Sequence, residues 1–308
     1  MHQTVRAALE ERLGARIERA EPVAGGSIHE TRRLRLADGR CVFAKIVSAK
    51  HAEPGSELSL DIFAREAEGL EALGAGIAAV PGLDADLRVP RVIAVSTAPP
   101  FLVLEAIDAG SRPALGGDIV ARFGHALARL HRGAVEPSGR FGFAHDNHLG
   151  ATPQPNGWLG DWPTFWRRRR LGPLLDAARA RGVSDRELDR LGDRLLERLD
   201  ELLAIDEPPS LLHGDLWGGN YLLGAHGEAV LVDPAAYYGH REAELAMTRL
   251  FGGFDAGFEA AYAAEWPLAD GAAERAPIYE LHHLLNHLVL FGRGYRGGCL
   301  QRLRRVVG

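Results

Sequence analysis

Lysine, cysteine, methionine and long apolar runs are all scarce in this chain, and each shortage excludes something. Two cysteines, Cys41 and Cys299, in 308 residues define neither a disulfide framework nor a zinc site. No apolar run approaches the roughly twenty residues that span a bilayer, and the N-terminus lacks a signal-peptide pattern. Cytoplasm is the default location. The formal net charge of −5 gives no basic excess to favour nucleic acid or an anionic membrane, so neither is expected as a partner. The one basic run, Arg167 to Arg170, reads as the solvated side of a helix. Nothing in the pattern calls for an oligomer, and a monomer is the expectation.

The lysine shortage also points somewhere. Of 36 basic residues only Lys45 and Lys50 are lysine, and a chain so biased keeps lysine where arginine will not serve. Asparagine is nearly as rare, at Asn147, Asn156, Asn220 and Asn286. What the chain has in quantity is apolar and charged surface, 46% and 25%, enough for a globular protein of one or two domains with an ample core.

The most informative stretch is Leu211-Leu-His-Gly-Asp-Leu-Trp-Gly-Gly-Asn220, followed by Val230-Leu-Val-Asp-Pro234. Two apolar runs read as short buried strands, each delivering a carboxylate, Asp215 or Asp233, at its end. Gly218-Gly219 forces a tight turn before Asn220. An Asp and an Asn five residues apart, with a second Asp eighteen beyond the first, suit nucleotide-dependent phosphoryl transfer. The first carboxylate can accept the proton of an attacking hydroxyl. The amide and the second carboxylate are hard oxygen ligands for Mg2+ on the phosphates of ATP. The same residues alone could also be turn chemistry between strands.

The flanking pattern supports the chemical reading. Residues 1–14 read as an amphipathic helix carrying Val5, Leu9 and Leu13. A strand from Ile17 to Val23 leads into Ala24-Gly25-Gly26-Ser27, a turn whose backbone N–H groups could lie over phosphates. Strands follow at Ile28 to Leu36 and Cys41 to Val47, joined by the hairpin signal Asp38-Gly39. Lys45 on this third strand sits where a kinase-like lobe places its phosphate-gripping lysine. Within a helix over 57–73, Glu66 lies beside the buried stripe and is preferred to Glu68 as its partner. The strand ending at Glu105 would enter a hinge, where backbone groups from Glu105 to Ile107 could bind adenine. A Gly-, Ser- and Pro-rich linker runs from 110 to 117, and the lobe boundary is expected near residue 109.

Helices dominate afterwards, at 118–132, through the Trp- and Arg-rich segment 161–181, and from a capping-box signature at Ser184-Asp-Arg-Glu187. Further helices are expected at roughly 241–252, 255–265, 275–292 and 298–306. The expected fold is α+β and two-lobed, protein-kinase-like. An antiparallel-sheet lobe over 1–109 binds the nucleotide, and a larger helical lobe over 110–308 carries the catalytic and metal loops.

These residues carry a closer match. The sequence resembles the fructosamine kinase (ketosamine 3-kinase) family, within the wider group of aminoglycoside-phosphotransferase and choline-kinase-like enzymes. The matching segments are Leu212-His-Gly-Asp-Leu-Trp-Gly-Gly-Asn220, Asp233-Pro-Ala-x-x-Tyr-Gly-His240, Glu244-Leu-Ala246, Phe251-Gly-Gly-Phe254, Leu285-Asn-His287 and Gly294-Tyr-Arg-Gly297. Phe141-Gly-Phe143 and Asp161-Trp162 also fit, so the resemblance runs from about residue 20 to 300. It implies that Asp215 is the catalytic base, Asn220 and Asp233 the Mg2+ ligands, Lys45 a phosphate ligand and Glu66 its anchor. It further implies ATP-dependent phosphorylation of the 3-hydroxyl of ketosamines, either small molecules or glycated protein amines. The unstable product would then release the amine, a deglycation repair. Trp217 and His287 are the candidates for the sugar pocket.

Three departures from other kinases matter. Gly214 replaces the arginine of regulated protein kinases, and Asp-Pro-Ala replaces Asp-Phe-Gly. Both argue against a protein hydroxyl as acceptor. Ser27 stands where some relatives carry a redox-active cysteine, leaving Cys41 near Lys45 as a weak candidate for reactivity. The competing acceptor is an aminoglycoside or another small amino alcohol. It would want a carboxylate-rich site, whereas 280–297 is rich in His, Asn, Gly and Arg. A non-catalytic nucleotide-binding module would be expected to lack one of Lys45, Asp215, Asn220 or Asp233, and all four are present.

Overall fold

A five-stranded antiparallel sheet and a larger helical assembly make up the molecule, which a computed structural model describes over residues 1–23, 29–47, 61–107 and 117–308. The expected phosphate-binding turn at Gly25, Gly26 and Ser27, the start of the helix expected over 57–73, and the linker and boundary near 109 lie outside the described residues.

The sheet runs in the order β1 (Ile17–Pro22), β2 (His29–Leu36), β3 (Cys41–Val47), β6 (Pro100–Glu105), β5 (Val92–Thr97). Alternation along β3 explains how it is covered. Val42, Ala44 and Ile46 pack with Leu9 and Leu13 of α1 (Gln3–Leu13), while Phe43 and Val47 face Phe63, Ala67 and Leu70 of α2 (Ile62–Ala79). Lys45, one step from each of Ala44 and Ile46, is therefore turned to the α2 side, and is 3% exposed.

α2 runs six residues past the Leu73 end expected from sequence. Its extra turns contain Gly74 and Gly76, which permit close packing. A Cβ at Gly76 would lie 2.9 Å from the Leu211 side chain and 3.1 Å from Ala134. The packing gained outweighs the roughly 1 kcal/mol that a helical glycine costs. It ties α2 directly to the strand that precedes the His-Gly-Asp loop.

The helical assembly holds the largest core. α3 (Gly117–Gly133) packs on α8 (Ala256–Glu265), and α9 (Ala272–Phe291) on α7 (Arg241–Leu250) and α10 (Arg296–Val307). α9 begins three residues before its expected start and carries Pro277 in its second turn. α6 (Arg186–Leu202) is capped by Asp185, whose carboxylate accepts the Leu188 N–H, rather than by Ser184. Asp and Ser are equally good caps, so sequence alone does not choose between neighbours.

The basic run is the plainest correction. Only Arg168 of Arg167 to Arg170 is exposed, and Arg170 is completely buried. A π-helical stretch from Trp166 to Leu171 joins α4 (Trp162–Phe165) to α5 (Gly172–Ala180) and changes the phase of the helix there. The Arg170 guanidinium lies between the rings of Phe165 and Tyr237, 4.6 and 4.0 Å from their centroids, and donates to Pro155 O and Asn156 Oδ1. Burial lowers its pKa to about 10.

Candidate active site

Two short strand pairs hold the chemistry. β9 (Ser210–Leu212) pairs with β12 (Tyr237–Gly239), and β10 (Tyr221–Leu223) pairs with β11 (Ala229–Leu231). The two loops they carry are stitched together by their backbones. Ala235 N–H donates to His213 O, Val232 N–H donates to Asn220 O, and His213 Nε2 lies 2.8 Å from Val232 O. His213 Nδ1 lies 3.2 Å from the Asp215 N–H that donates to it, so the ring is neutral with its proton on Nε2. Burial depresses its basicity in the same sense.

Glycine is required at Gly214 for two reasons. Its φ is +84°, and a Cβ would stand 2.2 Å from Ala235 O. An arginine cannot occupy this crossing. Asp233 is the one non-glycine residue with positive φ among the described residues, at 59°. Such a conformation costs on the order of 1–3 kcal/mol and persists only where the surroundings enforce it.

The carboxylates and the lysine meet here. Lys45 Nζ lies 2.6 Å from Glu66 Oε1 and 2.6 Å from Asp233 Oδ1. Glu68, the competing acid, instead pairs with Arg65 and His145. Burial alone would depress Lys45, but Asp233 and Glu66 outweigh it and hold its pKa above the ordinary lysine value. Asp233 is also pushed up by burial, and Lys45 overcomes that to keep it ionised. Asp215 has no such cation. Burial and then the charge of Asp233 raise its pKa well above the usual carboxylate value. Asn220 Nδ2 donates to Asp215 O and to its Oδ2, at 2.8 and 3.1 Å. With its nitrogen committed, Asn220 has its carbonyl oxygen as the atom available to a ligand.

Glu244 on α7 was quoted above only as part of a matching segment, yet it holds the whole loop. Fully buried, it accepts the N–H of His213 at 2.7 Å and of Gly214 at 2.8 Å. His131 Nε2 approaches it at 3.3 Å, and Tyr262 on α8 bonds His131 Nδ1 at 2.8 Å. Its signal in sequence was a carboxylate in the middle of an otherwise apolar stretch, Ala243-Glu-Leu-Ala-Met247. Two of its neighbours in sequence also find a role. Gly252 O accepts the Gly218 N–H at 3.1 Å, and a Cβ at Gly253 would lie 2.2 Å from Gly218 Cα. The glycine pairs of the two motifs are thus two faces of one backbone contact.

The remaining candidates are placed as follows. Trp217 is 39% exposed beside this contact. The His287 ring packs on Phe251 with centroids 4.6 Å apart, and its Nδ1 lies 2.8 Å from His283 O. Glu105 ends β6, with its N–H donating to Arg91 O and its carboxylate accepting from Arg88 and from the Arg91 N–H. Ile107 closes the described stretch of that strand's exit.

The fructosamine kinase family model matches residues 1–307. A probable ketoamine kinase of Synechocystis is 37% identical over 296 residues, covering 95% of this chain and 91% of that protein. The chain belongs to the fructosamine kinase family. The rice protein-ribulosamine 3-kinase is 40% identical over 219 residues, covering 70% of this chain and 62% of the relative. A Thermobifida fusca crystal structure described as a fructosamine-3-kinase superposes with a TM-score of 0.84 at 33% identity, covering 100% and 99% of the two chains. An aminoglycoside phosphotransferase, solved with ADP and hygromycin B, shares the fold at a TM-score of 0.61 and 16% identity, covering 99% of this chain and all of that one. The fold is protein-kinase-like, and family membership makes the chain an ATP-dependent phosphotransferase of the ketosamine kinase type. None of its described helices is long and apolar enough to cross a membrane.

Proposed function

We propose that this member of the family transfers the γ-phosphoryl group of ATP to the 3-hydroxyl of a ketosamine of the ribulosamine or fructosamine type. The observation that carries this reading is the division of labour between two carboxylates eighteen residues apart. Asp233 is ionised against Lys45, while Asp215, close by, is half-buried, proton-seeking and fixed by Asn220.

Asp215 takes the proton of the acceptor hydroxyl as its oxygen attacks the γ-phosphorus. The new O–P bond forms as the bond to the β-phosphate bridge breaks, releasing ADP. Glu66 holds Lys45 in place, so that the ammonium can serve the phosphates when nucleotide arrives. Gly25, Gly26 and Ser27 are assigned to the phosphates, and the backbone from Glu105 to Ile107 to adenine. The chain is read as a nucleotide-binding lobe over 1–109 and a substrate and catalytic lobe over 110–308.

A divalent cation fits this set. Among the described residues no three His, Cys, Asp or Glu side chains converge as a metal cage, but Asn220 and Asp233 offer two hard oxygens. Mg2+ typically takes one or two protein ligands and completes its shell with phosphates and water. When bound, it supplies positive charge to the transferring phosphates. Positive charge beside Asp233 would offset the second of the two causes, after burial, that raise the Asp215 pKa. Elimination of phosphate from the 3-phosphorylated product, followed by hydrolysis of the remaining carbon–nitrogen bond, frees the amine, which makes deglycation repair in the cytoplasm the biological reading.

The test is ADP release by purified protein with ribulosyl-lysine, fructosyl-lysine or kanamycin as acceptor. Turnover on a ketosamine, lost in Asp215→Asn, is expected. Turnover on kanamycin alone would keep the fold and overturn the acceptor.

A further inference from the structure

Three large apolar side chains stand exposed among the described residues, Val23, Trp217 and Phe291. Two of them lie at opposite ends of one continuous surface. Trp217 precedes Gly218, whose backbone rests on Gly252 and Gly253. Phe251, which precedes Gly252, packs at a tilt on His287. His287 in turn touches Phe291 at 5.4 Å and Tyr295 at 5.0 Å, and those two rings meet at 6.1 Å. Phe291 is the most open of the three, at 56% exposure. A shelf of aromatic rings therefore runs outward from the catalytic loop and ends in solvent.

Its charge is as informative as its shape. The segments that build it, 216–224, 247–254 and 286–298, contain Arg249, Arg293 and Arg296 and no Asp or Glu. Arg249 is paired with Glu259, and Arg296 with Asp185. A polycationic acceptor finds no carboxylate in these segments, and the two acids beside them, Glu259 and Asp185, are already paired with arginine. A flat apolar group finds the exposed Phe291 ring and, beside it, the half-buried rings of Tyr295 and His287.

We infer that Phe291 and Tyr295, backed by His287 and Phe251, select the amine carrier of the substrate, favouring ketosamines of aromatic or long-alkyl amines over those of polyamines. The inference rests on the proposed reaction and deepens it. The sugar is held at Asp215, and the carrier leaves the sugar along the shelf, so that carrier and sugar are recognised by separate residues. Phe291 and Tyr295 contact the substrate away from the reacting atoms and act as specificity residues.

The experiment compares kcat/KM for ribulosyl-benzylamine, ribulosyl-methylamine and ribulosyl-spermidine in the wild-type enzyme, Phe291→Ala, Phe291→Leu and Tyr295→Ala. Stacking one ring on another contributes about three- to ten-fold, so the wild type should prefer benzylamine over methylamine by that factor, chiefly through KM. The benzyl-to-methyl ratio should fall toward one in Phe291→Ala and Tyr295→Ala, and Phe291→Leu should keep part of it. A wild-type ratio of one, a ratio unmoved by either alanine, or a preference for spermidine would overturn the inference while leaving the reaction intact. Absence of turnover on all three ketosamines would overturn the reaction itself, and the inference with it.

Discussion

The catalytic crossing and the aromatic shelf adjoin each other, yet they are built on opposite principles. In the crossing, from His213 to Asn220 and Val232 to Tyr237, backbone groups and glycines have assigned partners. Glu244 takes two N–H groups, Ala235 takes the space over Gly214, and Gly252 and Gly253 take the space beside Gly218. On the shelf, Phe291 is more than half exposed and Trp217 more than a third. A region whose backbone is held at so many points can keep a strained residue such as Asp233 and a half-buried base such as Asp215. A region left open can exchange one partner for another. The phosphoryl transfer is fixed by the first, and the choice of acceptor is left to the second.

The largest effect should follow from removing the base. Asp215→Asn should lower kcat by about 100- to 10,000-fold, the range for general-base loss. Steady-state turnover checks it, and activity within ten-fold of wild type would end the assignment. The same substitution has a second signature. Because Asp215 is raised in the folded state, the native protein binds that proton more tightly than the unfolded chain. Stability from this group is present at low pH and is lost as pH rises through its folded pKa. Above that range the carboxyl is a net cost to folding, and Asn removes it. Thermal unfolding should show Asp215→Asn with a higher Tm than wild type at pH 8 and no such advantage at pH 4.

Disturbing the crossing without touching a reactive group should come next. Gly214→Ala puts a methyl group 2.2 Å from Ala235 O at a φ of +84°. A displacement near 1 Å can cost about 100-fold in rate. We expect that loss in kcat, with secondary structure retained by circular dichroism. Full activity would show that the loop has slack. Glu244→Ala leaves two buried N–H groups unpaired, at about 1–3 kcal/mol each. Glu244→Gln keeps one acceptor oxygen, so its Tm and kcat should lie between those of Glu244→Ala and wild type.

The pH dependence sharpens the comparison further. A base whose pKa is raised by burial and by Asp233 should give kcat/KM an acidic limb above the ordinary Asp range near ~4. Asp233→Asn removes the repelling charge, so any residual activity should show that limb moved to lower pH. The smallest effects, a few-fold in carrier preference, should come from the shelf.

Legibility in the sequence divides along the same line. The hairpin signal Asp38-Gly39, the alternation around Lys45 and the apolar strands before each carboxylate are local patterns, and the strands they announce form where expected. Glu66 rather than Glu68 meets Lys45 because the buried stripe of α2 is also a local pattern. Missing were the features set by contacts between distant segments. The helix expected to end at Leu73 continues to Ala79, because Gly74 packs against Val89 and Gly76 against Leu211 and Ala134. Arg170 read as solvated, but the π-helical stretch turns it inward between Phe165 and Tyr237. Glu244 gave only the hint of a charge within the short apolar stretch 243–247, because its loop partners lie about thirty residues away.

The account stands most directly on the two acids having two jobs, and calorimetric titration of Mg-ATP alongside turnover separates them. Asp215→Asn should bind Mg-ATP within about three-fold of wild type while losing turnover, and Asp233→Asn should lose both. Asp215→Asn that fails to bind Mg-ATP, or Asp233→Asn that binds and turns over like wild type, would contradict it.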